Sequence, residues 1–265
     1  MTKRALCVGV NDYPLADMDL KGCVNDANDW ASALVDHYDF TRSDVTMLLD
    51  RQATKATVLR ELGNLLAGAK RGDVLVFTNS SHGTYVADSS GDEAGYDEAM
   101  CPYDAKDNLL IDDDLRTLFA DLPAGVRLVV VSDSCFSGTV TREPGLPTPD
   151  DRRRRFLQPD AIGLRTLDNP HKPTHSRTEL YPESSMTGLL LSGCSDRQYS
   201  YDAKINGRYN GAMTASALSV LQQGGWEMTY SALHRQLVDA VSAAGYEQTP
   251  QLEGRSGHKR RHVFR

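Results

Sequence analysis

The sequence predicts an α/β protein with a mostly parallel central sheet of about six strands and helices on both faces. Runs of branched apolar residues recur along the 265-residue chain, and stretches with apolar residues at helical spacing separate most of them. Strands that alternate with helices in this way form parallel sheets that are covered on both faces. With 40% hydrophobic residues, the chain can bury a substantial core.

Each element is assigned from its apolar pattern and from the residues that bound it. The strand at residues 4–10 ends at Asn-Asp-Tyr-Pro, and the helix at residues 22–38 has Asp26 in its first turn. The uninterrupted apolar run at residues 128–131 is typical of a strand buried on both faces. The predicted strands lie within residues 4–10, 45–49, 73–83, 126–139, 188–192 and 251–254. The predicted helices cover residues 22–38, 54–69, 112–122, 211–222 and 230–243.

Composition and charge narrow the classes of partner. A net charge of -7 argues against nucleic acid or an anionic membrane as the main partner, since both require a basic surface, and it suits a cationic substrate. No apolar stretch approaches the length of a membrane span, and the first residues have no signal-peptide profile. Five cysteines without metal-ligand spacing indicate neither a disulfide framework nor a zinc site. We therefore predict a cytoplasmic protein with reduced thiols.

A cysteine and a histidine each follow a predicted buried strand. Cys135 comes after the apolar run at 128–131, and His82 comes after the strand that begins near residue 73. The carboxyl ends of parallel strands meet at one edge of the sheet, where open α/β folds build their sites. A lone thiol is more often buried and inert, and a lone strand-end histidine is more often structural. Their pairing favours a nucleophile and a base, as in cysteine peptidases whose histidine precedes the cysteine by about 50 residues.

The chemistry of such a pair involves the neighbouring residues as well. An imidazole at His82 can promote the Cys135 thiolate and later protonate a leaving amine. The backbone N–H groups of Gly83 and Cys135 could converge on a developing oxyanion. Asp133 points to the same side as Cys135, because the strand period is two, and a substrate Arg or Lys would neutralise it. Asp26 is either an ordinary acid at the start of a helix or a second wall of that pocket.

An acidic stretch separates the histidine from the next predicted helix. Residues 88–121 contain eleven acidic residues against two basic ones, and they lack EF-hand spacing. Two interpretations stay open. The stretch is a solvated acidic loop, or Asp97 together with Asp112, Asp113 or Asp114 forms an irregular Ca²⁺ site.

Residues 141–185 have the composition of a linker. Seven of the eleven prolines fall there, together with four consecutive arginines at 152–155. Proline at this density blocks helices and central strands, so we predict an exposed linker that is disordered at least in part. The arginine run is either a solvated charge patch or a cleavage site, because exposed segments are where proteolysis occurs.

Six short motifs follow one another along the chain. They are Leu20-Lys-Gly-Cys-Val-Asn-Asp-Ala27, Ser81-His-Gly-Thr84, Gly95-Tyr-Asp-Glu98, Asp133-Ser-Cys-Phe-Ser-Gly138, Leu191-Ser-Gly-Cys194 and Asn210-Gly-Ala212. Together they resemble the caspase-like peptidases, specifically the metacaspases and their bacterial relatives. The resemblance runs through nearly the whole chain apart from the proline-rich linker.

The resemblance implies a caspase-like fold and a division of the chain. A large-subunit-like catalytic part would cover residues 1–140, the proline- and arginine-rich linker residues 141–185, and a small-subunit-like part residues 186–265. It further implies peptide or protein substrates and favours a monomer, although nothing in these residues decides the oligomeric state.

The resemblance also implies roles for particular residues. Cys135 and His82 would form a dyad that hydrolyses peptide bonds after Arg or Lys. The residues of the acidic pocket would be Asp26 and Asp133, with Cys23 and Ser80 as further lining. The Ca²⁺ ligands would be Asp97, Asp113 and Asp114. Self-processing would follow one of the linker arginines, which are Arg152, Arg153, Arg154, Arg155, Arg165 and Arg177.

Two other functions stay open at this point. Ser81 stands where the family usually has Gly, and Asn79-Ser80 stands where it usually has an aromatic residue and Ser. The serine at 81 is the one sequence feature that favours a caspase-like binding or sensing module without turnover. A peptidase with Asp or Asn specificity is the other alternative, and two pocket acids argue against it because like charges repel.

Overall fold

The computed structural model describes residues 1–87, 96–135, 151–164, 186–195 and 198–265, and the predicted α/β class is confirmed. The strands are β1 (Lys3–Gly9), β2 (Val45–Leu49), β3 (Val74–Ser80), β4 (Gly83–Ala87), β5 (Tyr96–Met100), β6 (Leu110–Ile111), β7 (Arg127–Asp133), β8 (Arg152–Arg154), β9 (Leu189–Ser192), β10 (Tyr201–Ile205), β11 (Arg208–Gly211) and β12 (Gln251–Glu253). The helices are α1 (Cys23–His37), α2 (Lys55–Leu66), α3 (Asp112–Phe119), α4 (Ala212–Gln223), α5 (Tyr230–Ala243) and α6 (Ser256–Lys259).

Six strands form the central sheet, in the order β12-β9-β7-β3-β1-β2. All neighbours in it are parallel except β12 and β9. The register places Ser80 of β3 opposite both Gly9 of β1 and Asp133 of β7. The carboxyl ends of the three central strands are therefore level, and the residues that follow them share one edge.

Side chains on the two faces of this sheet build two hydrophobic cores. On β7, Val129 and Val131 belong to the core under α1, α4 and α5, whereas Leu128 and Val130 belong to the core under α2 and α3. This alternation follows the strand period of two. Asp133 lies two residues beyond Val131, so its carboxylate extends from the α1 face, towards the start of α4.

Two small antiparallel sheets were not predicted. One has the order β4-β5-β6, and the other has the order β11-β10-β8. In the second sheet, Asn206 and Gly207 turn the chain between β10 and β11 with φ of 52° and 85°. Asn-Gly is a strong signal for a tight hairpin, because both residues tolerate positive φ. The sequence analysis had assigned a polar loop to this stretch.

The prediction of an exposed linker is wrong for residues 151–164. Within them, β8 pairs with β10, and Leu157 and Ile162 join the core under α2 and α3. Arg155 is 0% exposed. Proline density misled the prediction because backbone pairing to another element, which composition does not encode, orders this segment. Residues 141–150 and 165–185 of the predicted linker lie outside the described residues. The boundaries 1–140, 141–185 and 186–265 stay a prediction.

Within the described ranges, no helix combines the length and the apolar character needed to cross a bilayer.

Candidate active site

The turns that follow β3 and β7 meet at the carboxyl edge of the sheet. The N–H groups of Gly83 and Cys135 both donate to the carbonyl oxygen of Arg155, at 3.0 Å and 3.2 Å. A methyl group on Gly83 would overlap the carbonyl group of Cys135, so only glycine permits this approach. The two donors predicted to form an oxyanion hole therefore converge on one oxygen, and that oxygen belongs to the linker.

His82 lies between β3 and β4, and its ring is held in one orientation. Its Nε2–H donates to the carbonyl of Met18 at 2.8 Å, because a carbonyl oxygen can only accept. The ring of Tyr13 lies 5.2 Å from the imidazole, centroid to centroid, and the Tyr13 hydroxyl accepts a hydrogen bond from the backbone N–H of His82. Nδ1 has no hydrogen-bond partner among the described residues. This tautomer leaves Nδ1 with a lone pair that can take up a proton.

The surroundings of His82 keep the imidazole neutral. Burial lowers its pKa to about 3, the positive charges of Arg153 and Arg155 act in the same direction, and the hydrogen bond to Met18 opposes them. Burial disfavours the charged form of a histidine because the imidazolium loses its hydration. At neutral pH the imidazole of His82 therefore carries no charge while the linker covers it.

The thiol of Cys135 is fully buried and contacts the backbone of Ser200. Its Sγ donates to the Ser200 carbonyl at 3.3 Å and accepts from the Ser200 N–H. No hydrogen bond joins this thiol to the imidazole of His82 in the described part of the chain. The backbone of Cys135 therefore faces the Arg155 carbonyl, while its sulfur rests against Ser200.

An acidic pocket holds the guanidinium of Arg155. The guanidinium forms ion pairs with Asp26 at 2.7 Å, Asp202 at 3.0 Å and Asp133 at 3.4 Å, and all four side chains are at most 2% exposed. Ser80 contributes its hydroxyl, which lies 3.3 Å from Arg155 Nη1 and donates to Asp26 at 2.9 Å. The pocket acids predicted from the sequence, Asp26 and Asp133, are thus brought together, and a third acid joins them.

The charge balance of this pocket is negative. Three carboxylates surround one guanidinium, and burial together with the repulsion of Asp133 raises the pKa of Asp26 to about 6, although Arg155 opposes the rise. Burial acts to lower the pKa of Arg155, but neighbouring negative groups outweigh it. Cys23 is buried close by, and burial raises the pKa of its thiol while Arg155 acts to lower it. The pocket therefore strongly favours a cationic side chain.

Several residues of this pocket were missed from the sequence. Asp202 lies on β10, and its contribution depends on the β10–β11 hairpin, which the Asn-Gly pair could have indicated. The backbone N–H of Gly211 donates to Asp26 at 3.0 Å. Thr214 donates to Asp133 through its N–H at 2.9 Å and its hydroxyl at 2.8 Å. The first turn of α4 therefore fixes the Asp133 carboxylate in place.

Ser81 does not narrow the cleft. Its hydroxyl donates to the carbonyl of His82 at 2.8 Å, and it lies 3.3 Å from the hydroxyl of Ser134. Asn79 donates to both serine hydroxyls. This buried network links the end of β3 to the end of β7 on the side away from the pocket. The departure at residue 81 is therefore accommodated behind the site.

The predicted calcium ligands are not arranged as a metal site. Asp114 forms an ion pair with Lys55 at 2.7 Å, and Asp113 forms one with Arg116. Asp97 lies on β5 and is 1% exposed. Among the described residues, no group of three or more His, Cys, Asp or Glu side chains could hold a metal ion. As placed, these residues do not fit a calcium ion, and calcium dependence stays a prediction.

The chain is similar to caspase-domain proteins along nearly its whole length. The family model described as the caspase domain matches residues 2–260. Metacaspase-1 of Scheffersomyces stipitis is 33% identical over 94% of this chain and 70% of its own length. Metacaspase-4 of Arabidopsis thaliana is 40% identical over 54% of this chain, and the match spans 35% of that protein's own length.

Solved structures give the same result for the fold. A protein from Geobacter sulfurreducens is similar with a TM-score of 0.73 and 27% identity, covering 100% of this chain and 98% of that one. Caspase-1 from Spodoptera frugiperda is similar with a TM-score of 0.56 and 12% identity, covering 95% and 86%. The second likeness concerns the fold alone.

Proposed function

The chain belongs to the caspase-domain family of cysteine endopeptidases, and from this premise we propose that it cleaves peptide bonds after arginine, including the bond between Arg155 and Phe156 of its own linker. One observation carries the proposal. The side chain of Arg155 occupies the acidic pocket while its carbonyl oxygen accepts from both Gly83 and Cys135. This is how an arginine substrate would have to bind at the bond to be cut.

The chemistry follows from the groups that surround this carbonyl. The thiolate of Cys135 attacks the carbonyl carbon of Arg155, and the two N–H donors stabilise the oxyanion, each by about 3 kcal/mol. His82 takes the thiol proton at Nδ1 and gives it to the amine of Phe156 as the peptide bond breaks. The product is a thioester on Cys135, and water then hydrolyses it to a free carboxylate and a free thiol.

The contact between Cys135 and Ser200 adds a step before this attack. The sulfur must leave the Ser200 backbone and turn towards the Arg155 carbonyl. The Nδ1 atom of His82 has no hydrogen-bond partner among the described residues, and the negative charge that develops on the oxyanion raises the proton affinity that burial has lowered. We propose that the uncleaved linker lies in the cleft as a bound substrate. We also propose that rotation of the Cys135 side chain away from Ser200 limits the rate of self-processing.

The pocket favours arginine over lysine. The guanidinium uses one terminal nitrogen for Asp26 and Asp202, and its other terminal nitrogen donates to the Asp133 carbonyl at 3.1 Å. A lysine has one nitrogen and cannot reach both sets of acceptors. We propose that arginine is preferred by about tenfold.

Neither of the other functions accounts for the pocket as well. Asp at the cleaved position would meet three buried acids, and Asn would leave them without a counterion. The proposal of a binding module without turnover rested on Ser81, whose side chain lies behind the cleft. An arginine-directed peptidase is therefore the function we propose, with protein and peptide substrates.

Calcium stimulation, a monomeric state and a cytoplasmic location stay predictions. For calcium, the test is self-cleavage and peptide turnover with a chelator and with added Ca²⁺. Equal rates under both conditions would remove the metal from the mechanism.

The decisive experiment compares purified wild type with Cys135→Ala. We expect wild type to produce a new carboxyl terminus at Arg155, identified by mass spectrometry, and Cys135→Ala to stay intact. Fluorogenic peptides that end in Arg, Lys, Asp or Asn then rank the specificity. Retained cleavage by Cys135→Ala would refute the nucleophile. Turnover only of Asp or Asn peptides would refute the pocket, and no turnover of any peptide, with an intact linker, would support the binding module.

A further inference from the structure

The linker arginines lie across the cleft as an extended strand that pairs with β10. Arg154 lies opposite Tyr201 and Arg152 lies opposite Ala203, in antiparallel register. The N–H of Arg155 donates to the Ser200 carbonyl at 2.9 Å and continues the pairing to the pocket. Because side chains alternate along an extended chain, Arg152 and Arg154 face one side while Arg153 and Arg155 face the other.

Both arginines on the first side stack on tyrosines. The guanidinium of Arg154 lies 4.6 Å from the ring centroid of Tyr199, and that of Arg152 lies 4.4 Å from the ring centroid of Tyr246. Arg152 also donates to the Gly245 carbonyl at 3.0 Å. A cation over an aromatic face is attracted by the ring quadrupole. Two of the three arginines before Arg155 therefore each form a cation–π contact with a different tyrosine.

The residue after Arg155 also meets aromatic rings. Phe156 stacks on Tyr85, with ring centroids 6.1 Å apart and an angle of 17° between the planes. Its ring is 5.7 Å from that of Tyr199. Tyr199 thus contacts the residues on both sides of Arg155, whose side chains point in the same direction. These contacts form a slot for an aromatic side chain.

This inference rests on the proposed cleavage after arginine. We infer that Tyr199 and Tyr246 also determine which residues the substrate carries on either side of that arginine. They select arginine one and three positions before the arginine at the cut, and Tyr85 with Tyr199 selects an aromatic residue directly after it. The substrate class is a protein segment with an arginine run followed by an aromatic residue, of which the linker is the example within the chain.

Arg153 provides the contrast that defines this selectivity. Its side chain is exposed, and its guanidinium donates to the carbonyl of Asp17. Among the described residues it has no aromatic stacking partner and no ion pair. The position two residues before the arginine at the cut is therefore not selected. A substrate needs arginine at alternate positions, and not only a high density of positive charge.

The test measures kcat/KM of the full chain on quenched peptides that contain Arg-Arg-Arg-Arg-Phe-Leu. Matched peptides carry norleucine at the first, second or third arginine, or alanine in place of phenylalanine. Norleucine keeps the aliphatic stem of the side chain and removes the guanidinium with its charge. We expect norleucine at the first or third position to lower kcat/KM by about threefold to thirtyfold and norleucine at the second position to have little effect. Alanine after the cut should lower it by about threefold.

Variants of the tyrosines identify the cause. Tyr246→Leu should abolish the preference at the first arginine and Tyr199→Leu that at the third, whereas Tyr246→Phe and Tyr199→Phe should retain them, since the ring is what attracts the cation. Tyr209→Leu is the matched control, because the ring of Tyr209 has a lysine, Lys21, at 4.9 Å and stacks on none of the arginines of β8. It should keep both preferences.

The outcomes separate this inference from the proposed function. Equal kcat/KM for the arginine and norleucine peptides, or equal preferences in the Leu and Phe variants, would overturn the inference while cleavage after arginine stands. If no peptide is cleaved, the proposed function fails, and the preferences are measured instead as dissociation constants. The protein is then the chain with Cys135→Ala and with Arg152, Arg154 and Arg155 each changed to Gln, so that its own linker no longer places a cation on either tyrosine or in the acidic pocket, and equal constants would overturn the inference.

Discussion

Arg153 and Arg155 are the same residue type, two positions apart on one strand, and they face the same side of it. Arg155 is 0% exposed and meets three carboxylates, whereas Arg153 is exposed and, within the described ranges, donates to one backbone carbonyl. Burial makes the first position selective, because a buried charge without its partner costs about 3 to 5 kcal/mol. Water at the second position removes any such penalty. The difference shows that desolvation, and not charge alone, turns a contact into specificity.

The largest expected effect comes from removing the charge of Arg155, and the comparison is with removing the charge of Arg153. Arg155→Gln leaves Asp26, Asp133 and Asp202 without a counterion, so we expect cleavage of the 155–156 bond to slow by at least about a hundredfold. Arg153→Gln, on the same strand, should change this rate by less than about twofold. The measurement is a time course of self-cleavage followed by mass spectrometry. Similar rates for the two variants would contradict the claim that burial makes position 155 selective and exposure leaves position 153 unselective.

A second test fills the space beside the buried guanidinium. A methyl group on Gly211 would lie 2.5 Å from Arg155 Nη1 and would also meet the carboxylate of Asp133. We expect Gly211→Ala to lower kcat/KM on peptides with arginine at the cut by about tenfold or more, mainly through KM, because the side chain no longer seats.

The control for Gly211→Ala is Gly63→Ala, in α2, where an added methyl group meets nothing within 4 Å. It should leave kcat/KM unchanged. Thermal unfolding of both variants shows whether either is misfolded. A Gly211→Ala protein with normal unfolding and normal KM would show that the pocket does not hold the substrate side chain.

The smallest expected effect is on pH dependence. Burial raises the pKa of Asp26 to about 6 with Arg155 in place. Emptying the pocket removes the charge of Arg155, which lowers this pKa, and admits solvent, which lessens the burial that raises it, so the two changes oppose each other. Below its pKa this carboxyl is protonated and no longer attracts a cation. We expect kcat/KM on arginine peptides to fall as pH decreases through this range, by about twofold at the pKa. A pH profile of kcat/KM is the measurement.

Asp26→Asn distinguishes this titration from that of His82, whose pKa rises when the linker departs and solvent enters. The variant should have a lower kcat/KM throughout, and the acid limb that comes from residue 26 should be absent. An acid limb that is identical in wild type and Asp26→Asn would assign the titration to another group and contradict the role of Asp26.

The central sheet could be predicted because its signals are local. Apolar runs such as residues 128–131 identify strands, and the helical spacing of Val58, Leu62 and Leu65 gave the buried face of α2. The approach of His82 and Cys135 also followed from strand order, since parallel strands end at one edge. The roles of these residues remain predictions that the variants above test.

The rest of the site depends on pairing between distant strands. Nothing local distinguishes Arg155 from the three arginines before it, and the register of β8 on β10 alone places it over the pocket. Asp202 enters the pocket for the same reason, because β10 runs beside it. Register of this kind is set by tertiary contacts, so a single sequence reveals it only where a turn signal such as Asn-Gly is recognised.

The segment that follows Phe156 is anchored in the molecule. The N–H of Leu157 donates to the Gly83 carbonyl at 2.9 Å, and Leu157, Pro159 and Ile162 are buried. A cut before Phe156 would leave this new amino terminus docked beside the catalytic groups. The opposite end, at Arg155, would stay connected to Cys135 through residues 136–154. The cleaved chain would therefore be inhibited by its own product until β8 dissociates from β10. Rapid self-cleavage would not by itself give rapid turnover of other substrates.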